Sequence, residues 1–351
     1  MRIIIDARFY GTEHTGLGRY TKSVLKYLPK ALAKHELYVL LNTKYMGIDL
    51  GPNVKNIECN IPHYSLVEQI ALPRLIESLT GDLFYAFHFN VPVLSKIPFV
   101  VTIHDLIKSH FKDDSTTTHG ELIFRLKRFG YERAISHAVK SSRDIIVPTN
   151  TVKNDILALV PVRPEKIHVV YESTFLSNSK IVNSKLKIPP NYLLFIGNAY
   201  PHKNLALLLA ALGSIPKKYS LVVVSKKTEF LERVLQSADL SLLARVQLQE
   251  NVDDQGLAYL YQNARLTVTP SLMEGFGLPG LESLSVGTPV VASDIPAFRE
   301  VYGNHVSYFD PLSAASLVRA INHTLKNSTR SNFVWNQTWA RAAQEIAGVL
   351  G

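Results

Sequence analysis

Several residue types and sequence runs that mark whole classes of protein are scarce or absent in this chain. A single cysteine, Cys59, excludes an internal disulfide framework and a four-cysteine zinc site. No segment approaches the ~18 consecutive apolar residues that a membrane-spanning helix needs. The first residues, Met1–Asp6, join one positive charge to a very short apolar run and then an acid. They predict a buried first strand rather than a signal peptide, and the chain is expected in the cytoplasm.

Positive charge is in excess. The 351 residues include 38 Lys and Arg against 29 Asp and Glu, which gives a formal net charge of +9. Such an excess favours an anionic partner, whether a phosphorylated substrate, an anionic lipid surface or nucleic acid. No basic tract is interleaved with aromatic residues as in an RNA-binding strand, so nucleic acid is not expected as a partner. The length predicts two domains, or one large one.

Short β-branched runs alternate with amphipathic stretches along most of the chain. Several runs are continuously apolar, which indicates strands covered on both faces and therefore parallel sheets flanked by helices. The predicted strands are Arg2–Ala7, Leu37–Leu41, Asp82–Ala86, Phe99–Ile103, Asp144–Val147, Ile167–Val170, Tyr192–Gly197, Leu221–Ser225, Val246–Leu248, Leu266–Thr269, Pro289–Ser293 and Val306–Phe309. This alternation predicts α/β, doubly wound domains.

The polar segment Phe175–Pro190 ends in two prolines and precedes a fresh strand, so it is linker-like. We therefore expect two Rossmann-like domains of about six strands each, facing a central cleft. The predicted divisions are a first domain at 1–175, a linker at 176–190, a second domain at 191–332 and a final helix at 333–351.

A glycine-rich turn in the second half carries the strongest chemical signal. The strand Leu266–Thr269 runs into this turn, and a helix opened by Pro279 follows. The free N–H groups and positive dipole end of such a helix start form a site for phosphate. Gly275 and Gly277 let the backbone approach a ligand closely.

Two glutamates, Glu274 and Glu282, bracket this turn with seven residues between them. One carboxylate can hold sugar hydroxyls and the other a ribose diol, which suits a nucleotide sugar. Taken alone, the same stretch also fits a strand, a turn and a helix with two solvated glutamates.

Residues 274–294, EGFGLPGLE followed by SLSVGTPVVASD, resemble the E-x7-E signature of retaining glycosyltransferases of family 4. These are GT-B enzymes with two Rossmann-like domains. The resemblance covers nearly the whole chain. Further matching pieces are Gly16–Tyr20, Thr102–Leu106, Val147–Thr149, Ile167–Tyr171 and Gly197–Leu205.

The resemblance implies a division of labour around the turn. Glu274 would contact hydroxyls of the donor sugar, together with backbone N–H groups around Phe276 and Gly277. Glu282 would bind the ribose hydroxyls. The N–H groups near Leu278 would hold the diphosphate.

Lys203 follows the strand Tyr192–Gly197 and is predicted to begin a helix, where its charge can neutralise a leaving diphosphate. Members of the resembling family often carry an arginine beside this lysine or just after the strand. Asn198 and His202 stand at those places here. His202 is expected to be a weaker, pH-dependent substitute for that cation.

Gly16 and Gly18 follow the first strand and open a helix. The dinucleotide fingerprint fails because Thr21 stands where its third glycine belongs, and Leu41-Asn42 lacks the acid that holds a ribose of NAD. The turn fits either a donor phosphate, an acceptor, or simple β–α geometry. We expect Arg19, Tyr20 and His88 on the acceptor side.

His104 lies at the carboxyl end of the strand Phe99–Ile103, where such folds place chemistry. The resemblance puts it near the donor sugar, either hydrogen-bonding it or steadying positive charge at the anomeric carbon. Asp105 is expected to brace the loop.

The chain contains no Asp-x-Asp motif, which metal-dependent transferases use to hold a divalent ion on the diphosphate. We therefore expect neither a metal nor a cofactor, with the nucleotide-diphospho-sugar as co-substrate. A helix dipole and a lysine would do the work of the metal.

Basic segments fill the first half of the chain. They fit either solvated helix faces or docking on an anionic leaflet, which would make the protein peripheral at the inner membrane surface. The residues are Arg19, Lys22, Lys26, Lys30 and Lys34 in one stretch, and Arg125, Lys127, Arg128, Arg133, Lys140 and Arg143 in another. The loops His88–Pro92 and Lys108–Gly120 are expected to select the acceptor.

The sequence thus predicts a retaining, metal-independent glycosyltransferase that moves a hexose, mannose-type by analogy, to a glycan or lipid-linked acceptor in surface polysaccharide assembly. Alternatives are a nucleotide-sugar-binding pseudoenzyme, a GT-B sugar-phosphate synthase with a soluble acceptor, and an NAD-dependent oxidoreductase. In the resembling family a final helix crosses back to the N-terminal domain. Trp335 and Trp339, predicted to lie near the start of that helix, are expected in core or interdomain packing.

Overall fold

The computed structural model describes residues 1–111, 121–174, 176, 184–327, 330 and 332–351, and for residues 12 and 121–127 it describes the backbone alone. The chain forms two compact units. The first unit comprises Met1–Leu106, Glu121–Ser173 and Gln337–Gly351, and the second comprises Ile107–Gly120 and Thr174–Asn336. Much of the expected linker at 176–190 and most of the expected acceptor loop Lys108–Gly120 lie outside the described residues.

The strands run in chain order as follows: β1 Arg2–Asp6, β2 Glu36–Leu41, β3 Val54–Glu58, β4 Leu83–Ala86, β5 Phe99–Thr102, β6 Asp144–Val147, β7 Ile167–Val169, β8 Tyr192–Ile196, β9 Ser220–Val224, β10 Val246–Gln249, β11 Leu266–Thr269, β12 Val290–Ser293 and β13 Ser307–Phe309.

The helices are α1 Thr15–Leu25, α2 Leu28–Ala31, α3 Leu66–Ser78, α4 Ile107–His110, α5 Glu121–Ser141, α6 Asn150–Leu159, α7 Leu205–Leu212, α8 Glu229–Gln236, α9 Leu240–Leu243, α10 Asp254–Asn263, α11 Leu278–Ser285, α12 Pro296–Tyr302, α13 Ala314–Asn327 and α14 Trp339–Leu350.

Each unit contains one parallel sheet. The first has the order β3-β2-β1-β4-β5-β6-β7, and the second has the order β10-β9-β8-β11-β12-β13. The expectation of α/β, doubly wound, Rossmann-like parallel sheets is confirmed. In both sheets the order reverses beside the first strand, between β1 and β4 and between β8 and β11, and ligands of such folds bind at the carboxyl ends of the strands there.

Apolar side chains on both faces of each sheet explain why the strands are continuous hydrophobic runs. In the first unit, α3, α5 and α6 pack against Ile4 and Val101 on one face, and α1, α2 and α14 pack against Ile3 and Ile5 on the other. In the second unit, α7, α8 and α13 share a core with Leu193, and α10 shares another with Leu194.

The first sheet has seven strands rather than about six, because the sequence analysis missed β3. Its residues, VKNIE, are at most half-buried, since the strand lies at the sheet edge and pairs with β2 alone. A short polar edge strand of this kind has little hydrophobic pattern to reveal it.

The final helix begins later than predicted. Thr338 caps it by accepting a hydrogen bond from the N–H of Arg341 at 3.1 Å, so α14 starts at Trp339 and not at residue 333. The helix contacts α2 and α1 within the first unit, and Trp339, Ala343 and Ile346 are buried in that core. The expected return of the last helix to the N-terminal unit is confirmed.

Candidate functional site

The switch point of the second sheet brings two predicted residues together. Lys203 follows β8 and Glu274 follows β11, so both lie at the carboxyl ends of the strands where the sheet order reverses. Lys203 does not begin a helix, as the sequence suggested. It ends a short 3-10 turn, Pro201–Lys203, and α7 starts only at Leu205 because Asn204 adopts a left-handed conformation with φ of 56°.

Lys203 and Glu274 form a tight ion pair. Lys203 Nζ lies 2.6 Å from Glu274 Oε1, and Ser271 Oγ donates to the same oxygen at 2.7 Å. Burial favours the protonated carboxyl, but the charges of Lys203 and His202 and the two hydrogen bonds outweigh it, so the pKa of Glu274 lies below its usual value. Glu274 is therefore an ionised acceptor at neutral pH.

His202 links the two loops at this switch point. Its carbonyl oxygen accepts from the N–H of Leu272 at 2.7 Å, and its ring stacks on Tyr200 with centroids 5.8 Å apart. The backbone bond ties the loop after β8 to the loop after β11, and so fixes the spacing between Lys203 and Glu274.

Tyr302, at the end of α12, holds the glycine-rich turn through a hydrogen bond to its backbone. Gly277 has φ of 103° and is the residue before α11, and its carbonyl oxygen accepts from the Tyr302 hydroxyl at 2.5 Å. Burial raises the pKa of Tyr302 well above its usual value, which keeps this donor protonated. A Cβ at Gly277 or at Gly280 would overlap the Tyr302 hydroxyl, so both positions require glycine.

The backbone of the turn is well buried. Gly275 and Phe276 are both buried, and the Phe276 ring meets Trp335 edge-on with centroids 6.0 Å apart. Leu278 is the first residue of α11, and Pro279 occupies its first turn as predicted. Trp335 thus packs beside the turn, whereas Trp339 lies in the core of the first unit.

Glu282 lies inside α11 and is only 3% exposed. Its Oε2 accepts a hydrogen bond from the Tyr261 hydroxyl at 2.7 Å. Tyr261, on α10, escaped the sequence analysis because a fully buried tyrosine on a helix has the pattern of an ordinary core residue.

In the first unit, His104 is anchored by both ring nitrogens. Nε2 lies 3.0 Å from the carbonyl oxygen of Phe87, which can accept a hydrogen bond from the ring. Nδ1 lies 3.3 Å from Oε1 of Glu172. Glu172 was not predicted, although it follows directly on the matched piece Ile167–Tyr171.

The predicted acceptor-side residues have different surroundings. Tyr20 is buried, with its ring edge-on to His104 at 4.5 Å and to Trp339 at 5.7 Å. Arg19 is half-buried on α1, and His88 Nε2 lies 3.3 Å from the Tyr64 hydroxyl. Tyr20 thus packs behind His104 rather than presenting its face to solvent.

The two glycines after the first strand lie inside α1. A Cβ at Gly18 would overlap the carbonyl oxygen of Gly11, so this glycine lets the helix pack closely on the preceding loop. A Cβ at Gly16 would meet nothing within 4 Å, and the residue is exposed.

A buried ion cluster that the sequence analysis missed follows β1. The Arg8 guanidinium contacts Asp6 Oδ2 at 2.6 Å and Glu68 Oε1 at 2.7 Å, and all three residues are buried. Burial favours neutral carboxyls, but at Asp6 the charge and hydrogen bonds of Arg8 outweigh it, and at Glu68 the contacts with His63 and Arg8 do so. The pKa values of Asp6 and Glu68 therefore both lie below their usual range. An Asp at the end of the first strand, an Arg just after it and a Glu in the first turn of a largely apolar helix were the available signal.

The basic stretches differ in what surrounds them. Four lysines of the first stretch are exposed, and no large apolar side chain is exposed among the described side chains of residues 13–34. On α5, Arg128 pairs with Glu132 at 3.0 Å and Arg133 lies over the exposed Phe129 ring at 4.9 Å. The side chains of Arg125 and Lys127 lie outside the described residues. The four exposed lysines of the first basic stretch are Lys22, Lys26, Lys30 and Lys34.

Within the described residues, no group of three or more His, Cys, Asp or Glu side chains is arranged to hold a metal ion. In the same part of the chain, no helix combines the length and apolarity needed to cross a bilayer.

Two family models match the chain and together span most of it. Glycosyltransferase Family 4 matches residues 14–173, and Glycosyl transferases group 1 matches residues 178–338, which includes Lys203, Glu274 and Glu282. The chain belongs to glycosyltransferase family 4. It is a family 4 enzyme with the GT-B type of fold, and a nucleotide-sugar donor and a glycan acceptor are implied by the family.

Individual relatives of this family 4 glycosyltransferase are distant. The O-antigen chain mannosyltransferase RfbU of Salmonella typhimurium is 29% identical over 255 residues, which cover 72% of this chain and 68% of RfbU. The serotype-specific mannosyltransferase WbdA of Escherichia coli is 25% identical over 93% of this chain, but the chain spans only 44% of that longer protein.

Among solved structures, Anabaena Alr3699/HepE in complex with UDP-glucose superposes with a TM-score of 0.71 at 18% identity. The match covers 99% of this chain and 95% of that one. At this identity the likeness shows the shared fold.

Proposed function

We propose that the protein is a retaining hexosyltransferase that moves a hexose, with mannose as the favoured sugar, from a nucleotide-diphospho-sugar. The acceptor is a glycan or a lipid-linked glycan in surface polysaccharide assembly. The observation that carries the proposal is the Lys203–Glu274 pair, 2.6 Å apart at the switch point of the second sheet. It joins a cation suited to phosphate with an anion suited to sugar hydroxyls.

Lys203 is the proposed contact for the leaving diphosphate. Its ammonium is partly buried and already faces the start of the glycine-rich turn, whose helix α11 adds the positive end of a dipole. A bound diphosphate would attract the ammonium away from Glu274. The lysine then stabilises charge on the leaving group, which rises as the glycosidic bond breaks.

Glu274 is the proposed anchor of the donor sugar. Because its pKa is lowered, the carboxylate accepts hydrogen bonds from sugar hydroxyls but is a poor general acid. A retaining glycosidase needs an acid with a raised pKa to protonate its leaving group. A nucleoside diphosphate leaves without that proton, so the electrostatics of Glu274 favour transfer from an activated donor.

Glu282 is the proposed partner of the nucleotide ribose, with Tyr261 holding one of its carboxylate oxygens. His104 is proposed to contact the donor sugar, since Phe87 and Glu172 hold its ring in one orientation. With no nucleophile assigned beside Glu274, we favour a front-face path in which the leaving phosphate helps to deprotonate the acceptor.

The relatives' names support mannose as the transferred sugar and a surface polysaccharide as the product. RfbU is described as an O-antigen chain mannosyltransferase and WbdA as a serotype-specific mannosyltransferase. We propose that the acceptor binds on the first unit, and that the protein works in the cytoplasm, at the inner leaflet when the acceptor is lipid-linked.

The test is a thermal-shift panel of GDP-, UDP- and ADP-sugars with EDTA present, followed by NMR of the product made from the stabilising donor. A melting temperature that rises with one nucleotide would support a metal-independent donor site. A product with the donor's anomeric configuration would support retention. An inverted product, or no transfer to any acceptor despite donor binding, would contradict the proposal.

A further inference from the structure

Three histidines surround one phenylalanine at the carboxyl edge of the first sheet. His14 lies in the connection after β1, His63 follows β3 and His88 follows β4, so three separate strand ends supply them. The ring of His63 stacks on Phe9 with centroids 3.7 Å apart. The rings of His14 and His88 lie 5.3 Å and 5.4 Å from the same phenylalanine. Together with Tyr64, whose ring meets His88 edge-on at 5.7 Å, we call these residues the histidine cluster.

The histidine cluster lies where sheets of this kind bind ligands. The order of the first sheet reverses between β1 and β4, and His14 and His88 each follow one of these two strands. His104 Nε2 lies 3.0 Å from the carbonyl oxygen of Phe87, the residue before His88. The cluster is therefore adjacent to the histidine that we propose to contact the donor sugar.

Part of the histidine cluster is open to solvent. Tyr64 is 58% exposed and the three histidines are half-buried, whereas Phe9 is only 9% exposed. The face of an aromatic ring carries negative charge density, which attracts polarised C–H groups such as those of a pyranose. Ligand sites combine such rings with a few polar groups that fix the orientation of the ligand. The cluster has both kinds of group, since imidazole nitrogens donate or accept hydrogen bonds.

The buried charge next to the histidine cluster is negative. Asp6 and Glu68 are both ionised, because their pKa values are lowered, and Arg8 supplies a single positive charge between them. One negative charge is left over, and His63 Nδ1 lies 3.7 Å from Glu68 Oε1. The uncompensated charge therefore lies against the cluster.

The more exposed part of the cluster also faces a carboxylate. Burial and the charges of Glu68 and Asp105 raise the pKa of Tyr64. The N–H of Asn90 donates to Nδ1 of His88 at 3.2 Å, a bond that a neutral imidazole accepts and an imidazolium does not. An anionic group of a ligand would meet repulsion here, whereas hydroxyl groups would not.

The remaining charged side chains of the packed elements lie outside the cluster. Glu13 pairs with Lys44 from the connection after β2 at 3.5 Å, and exposed Arg74 is accompanied on α3 by exposed Glu77. A phosphate on the acceptor would be drawn to the other cations rather than toward Glu68. These cations are Arg19 and Lys22 on α1 and Lys96 after β4.

Glu68 fixes the loops that carry the histidine cluster. Its Oε2 accepts from the N–H of Tyr64 at 2.7 Å and from Asn90 Nδ2 at 2.6 Å, while its Oε1 accepts from Arg8. Arg8 also donates to the carbonyl oxygen of Ile61 at 2.9 Å. These bonds join the chain after β1, β3 and β4, so the cluster is held in place before a ligand binds.

We propose that the histidine cluster binds an uncharged hexose residue at the end of the acceptor glycan, an inference that rests on the proposed function. The sugar ring packs on the exposed ring of Tyr64, and its hydroxyls exchange hydrogen bonds with the imidazoles of His14 and His88. The negative charges of Glu68 and Asp105 select this uncharged end against a sugar phosphate. The acceptor is thus recognised by its last sugar rather than by its charge.

The test is NMR of the histidine ring signals of the full chain, titrated in the absence of any donor. The probes are the methyl α-glycosides of mannose, glucose and galactose, with mannose 1-phosphate as the charged comparison. Replacing His14, His63 and His88 one at a time with Ala assigns their signals. We expect at least one glycoside to shift these signals, and mannose 1-phosphate to bind about tenfold more weakly.

Two variants disrupt the proposed subsite in different ways. Tyr64→Leu removes the exposed aromatic face, and His88→Ala removes a hydrogen-bonding ring. Each should weaken glycoside binding by about tenfold and raise the acceptor KM to the same extent, while the donor KM stays unchanged. The matched control, His323→Ala, replaces an exposed histidine of α13 in the second unit and should bind the glycoside like the parent.

Stronger shifts with mannose 1-phosphate than with any glycoside would overturn the proposal, as would unchanged cluster signals with every probe. Parent-like glycoside affinity in both Tyr64→Leu and His88→Ala would also overturn it. Because the titration contains no donor, a failure to transfer the hexose contradicts the proposed function and leaves the binding result standing.

Discussion

Lys203 Nζ lies 2.6 Å from Glu274 Oε1, so the cation and the anion of the candidate donor site neutralise each other in the protein alone. A donor that carries both phosphate charge and sugar hydroxyls can replace each half of this pair with a matching group. A nucleoside monophosphate lacks the hexose and a free sugar lacks the phosphate, which favours the complete nucleotide sugar.

Replacing Lys203 with Met should lower kcat/KM for the donor by about a hundredfold, because it removes a charge that stabilises the leaving group. Steady-state kinetics with the donor found by thermal shift will check this. Lys217→Met, an exposed lysine of the same unit, is the control and should leave kcat/KM unchanged. Equal losses in both variants would indicate a general charge effect.

Replacing Glu282 with Gln should raise the donor KM with little change in kcat, since ribose binding is equally strong in the ground and transition states. Tyr261→Phe, which removes the donor to Glu282 Oε2, should raise KM in the same direction but less. Isothermal titration with the free nucleoside diphosphate gives an independent measure. Unchanged nucleotide affinity in both variants would remove the ribose assignment.

Replacing Glu172 with Ala should lower kcat by about tenfold while the donor KM stays the same, because the His104 ring loses one of its two anchors. The NMR signal of the His104 ring should broaden or shift in the variant. Glu165→Ala, an exposed glutamate of the same unit, is the matched control. A fall in kcat of the same size for Glu165→Ala would argue against a specific role.

Replacing Gly277 with Ala should abolish donor binding, since the added Cβ meets the Tyr302 hydroxyl and φ of 103° strains any other residue. Gly348→Ala on α14 is the control, because a Cβ there meets nothing within 4 Å and alanine favours helix. Thermal shift with the donor distinguishes the two variants. Full donor binding by Gly277→Ala would show that the turn can rearrange.

Replacing Glu68 with Gln should destabilise the protein by about 3 kcal/mol at pH 7, because the Arg8 charge loses one of its two buried partners. The pKa of Glu68 is lowered in the folded state, so the stabilisation is complete above the unfolded value near 4.5 and is lost as the pH falls through the lower, folded value. Urea unfolding at several pH values should show the difference shrinking below pH 4.5. A difference independent of pH would point to packing instead.

The architecture was predictable where the signal is local. The runs at Leu193–Ile196 and Leu221–Val224 are apolar because both faces of each strand are covered, and the glycine-rich turn with its proline lies within one strand–helix connection. Edge strand β3 lacked that signal, since its residues are only partly buried.

The partners of the site residues were not predictable, because they come from distant parts of the chain. Glu172 meets His104 across 68 positions, and Arg8 meets Glu68 across 60. The local pattern around either glutamate does not indicate which distant residue it will meet. The contacts form because the topology places the residues after β7 and the start of α3 at the carboxyl ends of the strands of one sheet.

The packing of α14 has a consequence for how the chain is made. Ser173 Oγ donates to the carbonyl oxygen of Gln337, 164 positions later, just before the helix that completes the core under α1 and α2. The ribosome therefore synthesises every strand of the first unit well before α14 is available to complete that core. Until α14 is made, Tyr20 and the apolar side chains packed on that helix lack its cover, and the second unit is synthesised in the interval.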